Sequence, residues 1–163
     1  MNVVLDASSS INLHRSGLLE VVLTLSSFGY VFYLGYIVRD ECGELKEFLD
    51  VQARRGSLTM LPDNALTSQQ FADVLSLYDL GLGETECIAS GKQLGLSVCT
   101  DDRAARKAAA KHIGEDRVLG SLRLIRECVC RGLISAHDAF RAYETMKARG
   151  AFLPCVSAAF FEC

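Results

Sequence analysis

Six carboxylates fall where they could do chemistry together: Asp6, Glu41, Glu84 and Asp102, with Asp101 and Glu86 as second choices beside the last two. Asp6 closes the short apolar run Asn2–Asp6, and Asp101 and Asp102 follow directly on Leu96–Thr100, so each stands where a buried strand would end. Glu41 lies three or four residues from Ile37, Val38 and Leu45, on the apolar stripe of an expected helix, whereas Asp40, Glu44 and Glu47 fall on the opposite side. Glu84 shares a helical face with Cys87, Ile88 and Gly91, while Glu86 falls with Ser90 and Gln93, which makes Glu84 the inward acid of the two. A carboxylate on an apolar face is costly unless it is paired, protonated or bound to a cation. Several brought to one place raise one another's pKa, and a hard divalent ion, Mg²⁺ or Mn²⁺, is the natural counter-charge because it prefers oxygen ligands. Each acid also has a plainer use: Asp6 and Asp102 as helix N-caps, Glu84 in a first helical turn, Glu41 in an ion pair. The other ligand types point nowhere. His14, His112 and His137 are scattered, and Cys128 and Cys130 sit two apart on a helix, where neighbours diverge, so packing rather than zinc is expected of them.

Alternating strands and helices must position these acids. The apolar runs Asn2–Asp6, Val31–Leu34, Ser57–Leu61, Leu96–Thr100 and Arg117–Leu119 read as strands. Between and after them, helices are expected over Ser8–Leu25, Tyr36–Arg55, Thr67–Leu80, Glu84–Leu94, Asp102–His112, Ser121–Arg131 and Ala136–Arg149. Thr67 and Ser68 are favourable caps, and Ser135 with Asp138 resembles a capping box. Short apolar strands separated by helices imply parallel pairing through right-handed crossovers, hence an α/β fold with a parallel sheet of about five strands flanked by helices. In such sheets ligands bind beyond the carboxyl ends of the strands, where Asp6 and the Asp101–Asp102 pair stand. No linker or repeat divides the chain. One domain is expected over 1–154, with a tail, 155–163, that adds an edge strand or docks on the domain or at an interface.

Composition excludes several classes. The chain has 163 residues, half of them apolar and 23% charged, with a net charge of −3; this is neither disordered nor collagenous nor coiled-coil, and it is no polycation. Seven cysteines at irregular spacing, after an N-terminus without a basic and apolar leader, read as reduced thiols of a cytoplasmic protein. The uncharged stretch Val21–Val38 reaches the 18-residue length of a membrane span, but Thr24, Ser26, Ser27 and Gly29 divide it into a helix, a turn and a buried strand. No membrane span is expected.

The order of motifs resembles a PIN-domain nuclease: Asp6-Ala7-Ser8 after the first strand, then Glu41, then Gly83-Glu84-Thr85-Glu86, then Thr100-Asp101-Asp102-Arg103. The Gly-Glu-x-Glu form, the Asp-Asp-Arg-Ala-Ala-Arg run, Gly120-Ser121-Leu122 and Gly132-Leu133-Ile134 resemble a prokaryotic branch whose members are often toxins of toxin–antitoxin operons, akin to the VapC type. The resemblance spans about residues 1–154. It implies a PIN-like sheet and an acidic Mg²⁺/Mn²⁺ site that cuts RNA, with Asp6, Glu41, Glu84 and Asp102 as metal-holding catalytic acids. Ser8 then steadies Asp6 or a metal-bound water, and the Thr-x-Asp form favours Asp102 over Asp101. The resemblance further implies an antitoxin protein partner and a homodimer, to which Leu13, Leu18, Leu19 or the Phe152–Phe161 tail could contribute.

An acidic site repels a polyanion, so basic groups must hold the substrate. Residues 103–131 carry eight Lys or Arg against three acids, a balance of +5 that leaves −8 on the rest of the chain. Arg103, Lys107 and Lys111 recur every four residues along one helix face, with Arg106 beside them, a candidate phosphate track leading away from the acids. A solvated helix face would look the same. Two other functions compete. A haloacid-dehalogenase-like phosphatase would want a second Asp two residues after the first, where this chain has Ser8. A non-catalytic or weakly active scaffold that binds nucleic acid or protein would share the fold, and the complete acid set argues against it.

Overall fold

Short apolar strands pair in parallel through the middle of the protein, here described by a computed structural model covering residues 1–163. They are β1 (Asn2–Leu5), β2 (Val31–Leu34), β3 (Thr59–Met60), β4 (Ser97–Cys99) and β5 (Val118–Leu119), ordered β3-β2-β1-β4-β5. All four pairings are parallel. Leu5 of β1 stands level with Leu34 on one side and Cys99 on the other. Val3, Val4 and Leu5 are wholly buried, as expected of a parallel strand covered on both faces.

Nine helices cover the sheet: α1 (Ala7–Arg15), α2 (Leu19–Leu23), α3 (Tyr36–Glu41), α4 (Lys46–Arg54), α5 (Ser68–Leu77), α6 (Leu82–Leu94), α7 (Arg103–Ile113), α8 (Ser121–Cys130) and α9 (Ala136–Ala148). The expected α/β architecture with a five-stranded parallel sheet is therefore present. The chain runs from β1 outward through β2 to β3, then returns across the sheet to β4. The strand order thus reverses between β1 and β4, and the carboxyl ends of those two strands border the crevice where such sheets bind ligands.

Two expected helices are each divided. Ser8–Leu25 breaks between α1 and α2, and a 3₁₀ segment, Thr24–Phe28, follows. Tyr36–Arg55 breaks after Glu41: Gly43 takes φ 54°, in the left-handed region, and a helix does not continue through it. Glu41 therefore ends a short helix and is exposed, instead of lying on the apolar stripe of a long one. The stretch Val21–Val38 is shared among α2, the 3₁₀ segment, β2 and α3, and no helix is long and apolar enough to cross a membrane.

The tail forms no edge strand. It makes a 3₁₀ turn, Ala158–Phe161, against α8 and α9, with Phe161 fully buried. Tyr143 Oη donates to the Pro154 carbonyl (3.1 Å) and accepts from the Val156 amide (3.3 Å). Cys163 is disulfide-bonded to Cys130 at the end of α8, which corrects the expectation that all seven thiols are reduced. The pair could not be read from local spacing because its members lie 33 residues apart. Leu13, Leu18 and Leu19 belong to the core of a single chain and are not free to build a dimer interface; Phe152 is 97% exposed.

Closing a loop of 33 residues contributes about 2–4 kcal/mol of stability. Cys163→Ser should lower the unfolding free energy by that amount in urea titrations. Reductant should bring the wild type down to the variant's level and leave the variant unchanged.

Candidate active site

Asp6 sits at the carboxyl end of β1, 2% exposed, and serves as the N-cap of α1. Its Oδ2 collects three donors: Ser8 Oγ (2.6 Å), Thr100 Oγ1 (2.8 Å) and the Ser8 amide (3.3 Å). Its Oδ1 is buried with no hydrogen-bond partner at all. The Asp6 amide donates to the Cys99 carbonyl (2.9 Å), which ties the aspartate to the neighbouring strand at the reversal of the sheet. Ser8 Oγ also accepts from the Asp101 amide (3.1 Å), and Thr100 Oγ1 from the Asp102 amide (3.2 Å). Two hydroxyls thus fix one carboxylate oxygen and link the ends of β1 and β4. The role expected of Ser8 in orienting Asp6 matches this placement. Thr100 is a site residue that sequence reasoning did not find, although its hydroxyl two positions before Asp102 is a usable signal.

Glu84 lies at the start of α6, where its Oε2 accepts from the Gly81 amide (3.0 Å). Its carboxyl is pushed above the ordinary range chiefly by burial and further by the negative charges of Asp6, Asp102 and Glu41; the Gly81 amide opposes the shift. Four acids therefore share one electrostatic environment. Asp102 caps α7 through the Ala105 amide (2.8 Å to Oδ1), leaving Oδ2. Glu41 Oε1 accepts from the Gly83 amide (3.0 Å).

The second choices lie elsewhere. Asp101 turns away, its Oδ2 accepting from Asn12 Nδ2 (2.8 Å) and its Oδ1 from the Ser121 amide (2.8 Å), so both oxygens brace α1 against the start of α8. Glu86 is not solvated as its helical face suggested, because α6 is buried around most of its circumference from Gly83 to Gly91. Its Oε2 accepts from the Val38 amide (3.1 Å), and the Ile37 and Tyr36 amides also favour its charge. Burial nevertheless outweighs them and raises its pKa. Glu86 is thus the cap of α3.

The basic residues separate too. Arg103, Lys107 and Lys111 are exposed along α7, beginning one residue beyond Asp102. Arg106 does not join them: its Nη1 donates to the Thr100 carbonyl (3.2 Å) and packs over Gly120, so this guanidinium braces the β4–α7 turn instead of facing solvent for RNA. The nearby thiols offer no nucleophile. Burial, then the charges of Asp6 and Glu41, push Cys42 up to about 12, and Cys87 is raised in the same way.

Residues 2–157 match the family model of a PIN domain. The chain belongs to the PIN-domain family. No curated protein matches it significantly. PIN domains are in general nucleases and typically use divalent metals. Does the site fit such an ion? No three His, Cys, Asp or Glu side chains close round one point as a ready cage. Mg²⁺, however, usually keeps several waters and takes only one or two carboxylates besides substrate phosphates. The orphaned Asp6 Oδ1, beside Glu84, whose carboxyl is raised by burial and by the charges of Asp6, Asp102 and Glu41, is a donor set of that kind. The residues fit.

Two glycines make the arrangement possible. A Cβ at Gly35 would overlap the Glu86 carboxylate, and one at Gly83 would overlap Glu41 Oε2. Gly35→Ala in this PIN domain must displace a buried carboxylate from its amides, at a cost of about 1–3 kcal/mol in urea titrations. Gly83→Ala displaces only the end of an exposed, flexible side chain. It should change stability by less than about 0.5 kcal/mol in the same titrations.

Proposed function

We propose that this PIN domain is a Mg²⁺- or Mn²⁺-dependent endoribonuclease and the toxin of a toxin–antitoxin pair. The observation that supports the chemistry best is Asp6 Oδ1, a buried carboxylate oxygen without a partner beside three further acids. A buried carboxylate oxygen without a donor is expensive, and a bound cation would offset that cost. The toxin role rests on the resemblance of Gly83-Glu84-Thr85-Glu86 and Thr100-Asp101-Asp102-Arg103 to that branch. A cytoplasmic setting, an antitoxin and a homodimer belong to the same reading.

Asp6, Glu84, Asp102 and Glu41 would hold the ion, most of them through waters that it keeps. When bound, it supplies a lowered pKa for water, orientation of the ester and charge neutralisation on the phosphate oxygens. The chain's own contribution is placement. Ser8 and Thr100 hold Asp6 so that Oδ2 is occupied and Oδ1 is left free. Glu84, whose carboxyl is raised chiefly by burial, is placed to accept a proton when it is not bound to the ion. Exposed Arg103, Lys107 and Lys111 offer successive phosphates a track along α7 that the acidic site itself cannot provide.

The direct test is cleavage of a mixed structured RNA with Mn²⁺, Mg²⁺ or EDTA. Wild type should cut only with metal. Asp6→Asn should not cut, yet should stay folded: its amide oxygen can still accept from Ser8 and Thr100, and its Nδ2 replaces the unpartnered oxygen. Full activity in the variant would remove Asp6 from the chemistry. The track makes a separate claim. Combining Arg103→Gln with Lys107→Gln should weaken RNA binding and flatten the slope of log affinity against log salt by about 0.7 for each phosphate no longer neutralised. An unaltered slope would leave α7 a merely solvated face.

A further inference from the structure

A cavity of about 350 Å³ opens beyond the carboxyl ends of β2 and β3, lined by the start of α3 and by α5 and α6. Its walls are apolar and partly aromatic: Tyr36, Ile37, Leu66 and Phe71. Glu86 and Ser90, one helical turn apart on α6, line it. Both belong to the face expected to be solvated, and the catalytic reading uses neither. Ser90 is wholly buried, and its Oγ has no hydrogen-bond partner within the protein. Such a hydroxyl costs free energy unless something supplies a partner.

The lining restricts what that partner is. It holds carboxylates, at Glu86 and at Asp63, and hydroxyls, at Ser68, Ser90 and Tyr36, but no Lys, Arg, His, Asn or Gln. A phosphate would meet only repulsion there. A flat group with an apolar face and an edge of N–H donors suits both the aromatic walls and the acceptors. A fully cationic group suits less well, because the charge of Glu86 already meets the Val38 amide and those of Ile37 and Tyr36 at the start of α3. The cavity also adjoins the catalytic edge: α3, which begins at its wall, ends in Glu41, and Glu86 follows Glu84 by two residues.

We infer that this cavity is a nucleobase pocket, taking an unstacked base of the RNA close to the cut and favouring guanine. The inference rests on the ribonuclease reading and adds to it a source of base preference. Guanine alone among the four bases presents two adjacent donors, N1–H and the N2 amino group, on its pairing edge. Single-stranded RNA is commonly read in this way, by splaying a base onto an aromatic wall and bonding its edge.

The pocket can be tested without catalysis. The full chain in EDTA is titrated with guanosine, adenosine, cytidine, uridine and methylguanidinium while backbone amide resonances are followed. Guanosine should shift Phe71, Ser90 and their neighbours, and the other nucleosides should bind at least about fivefold more weakly, the discrimination expected of a paired donor edge. Ser90→Ala should fold as stably as wild type, since its hydroxyl has no partner to lose, and should weaken guanosine binding. Ala65→Phe, which fills the cavity from its wall, should abolish it. No binding, equal binding of all four nucleosides, or undiminished binding by Ala65→Phe would overturn the proposal. So would binding of methylguanidinium in place of guanosine, which would point to a cationic side chain of a protein partner. None of these outcomes touches the ribonuclease reading, which stands or falls on metal-dependent cleavage of mixed RNA by wild type. If wild type cleaves, its cuts should cluster beside guanine, and Ala65→Phe should lose that clustering.

Discussion

One carboxylate organises this protein. Asp6 is buried at the point where the sheet reverses, and the two hydroxyls that hold its Oδ2 come from different strand ends, Ser8 after β1 and Thr100 after β4. Those same hydroxyls accept the amides of Asp101 and Asp102. The start of α7 is therefore placed by the group that it will serve. Neutralising Asp6 leaves this lattice nearly intact, because the hydroxyls need only one acceptor. Removing the hydroxyls would strand both a buried charge and two amides. The rigidity of the site and its unsatisfied charge thus have one origin: satisfying Oδ2 completely is what leaves Oδ1 with nothing.

The second organising feature is the division of labour along α6. Glu84 and Glu86 are two residues apart and point to different sides of a helix that is buried around most of its circumference between Gly83 and Gly91. Glu84 joins the acids, where neighbouring negative charges reinforce the effect of burial. Glu86 is held by amides of α3, which oppose the effect of burial. Two glutamates with the same raised direction therefore do different work, one electrostatic and one structural. What separates them is the partner each finds and the deeper burial of Glu86.

Much of this is legible in the sequence, and the failures have physical causes. The strand ends at Asp6 and Asp102, the order of helices and the parallel pairing follow from short apolar runs alternating with helical periodicity. Asp101 is turned away because Asn12 and the Ser121 amide take up its carboxylate, a tertiary fact with no local trace. The stripe expected to carry Glu41 needs a helix running through Gly43, which the backbone does not provide, so Glu41 reaches the start of α6 from the end of a short helix instead. Arg106 looks like its neighbours on α7, and only the carbonyl of Thr100 beneath it sets it apart. Periodicity reports which face is apolar. On a helix buried around most of its circumference, such as α6, it says nothing about where a carboxylate will find its partner.

That limit also explains why the two glycines matter more than their small size suggests. Glu41, at the end of α3, reaches the amide of Gly83 at the start of α6, and Glu86 on α6 reaches back to the amides at the start of α3. Each helix lends a carboxylate to the other's unpaired N–H groups, where a negative charge is favoured. Gly35 and Gly83 are the places where those carboxylates lie against the backbone, so a side chain at either would exclude its partner. The two contacts differ in consequence. Glu86 is buried and held by amides at the start of α3, so its contact is a clamp between α3 and α6. Glu41 is exposed and bound by a single amide, so it can leave Gly83 at little cost. The clamp therefore holds the helices in register while one of its two carboxylates stays free to turn towards the site.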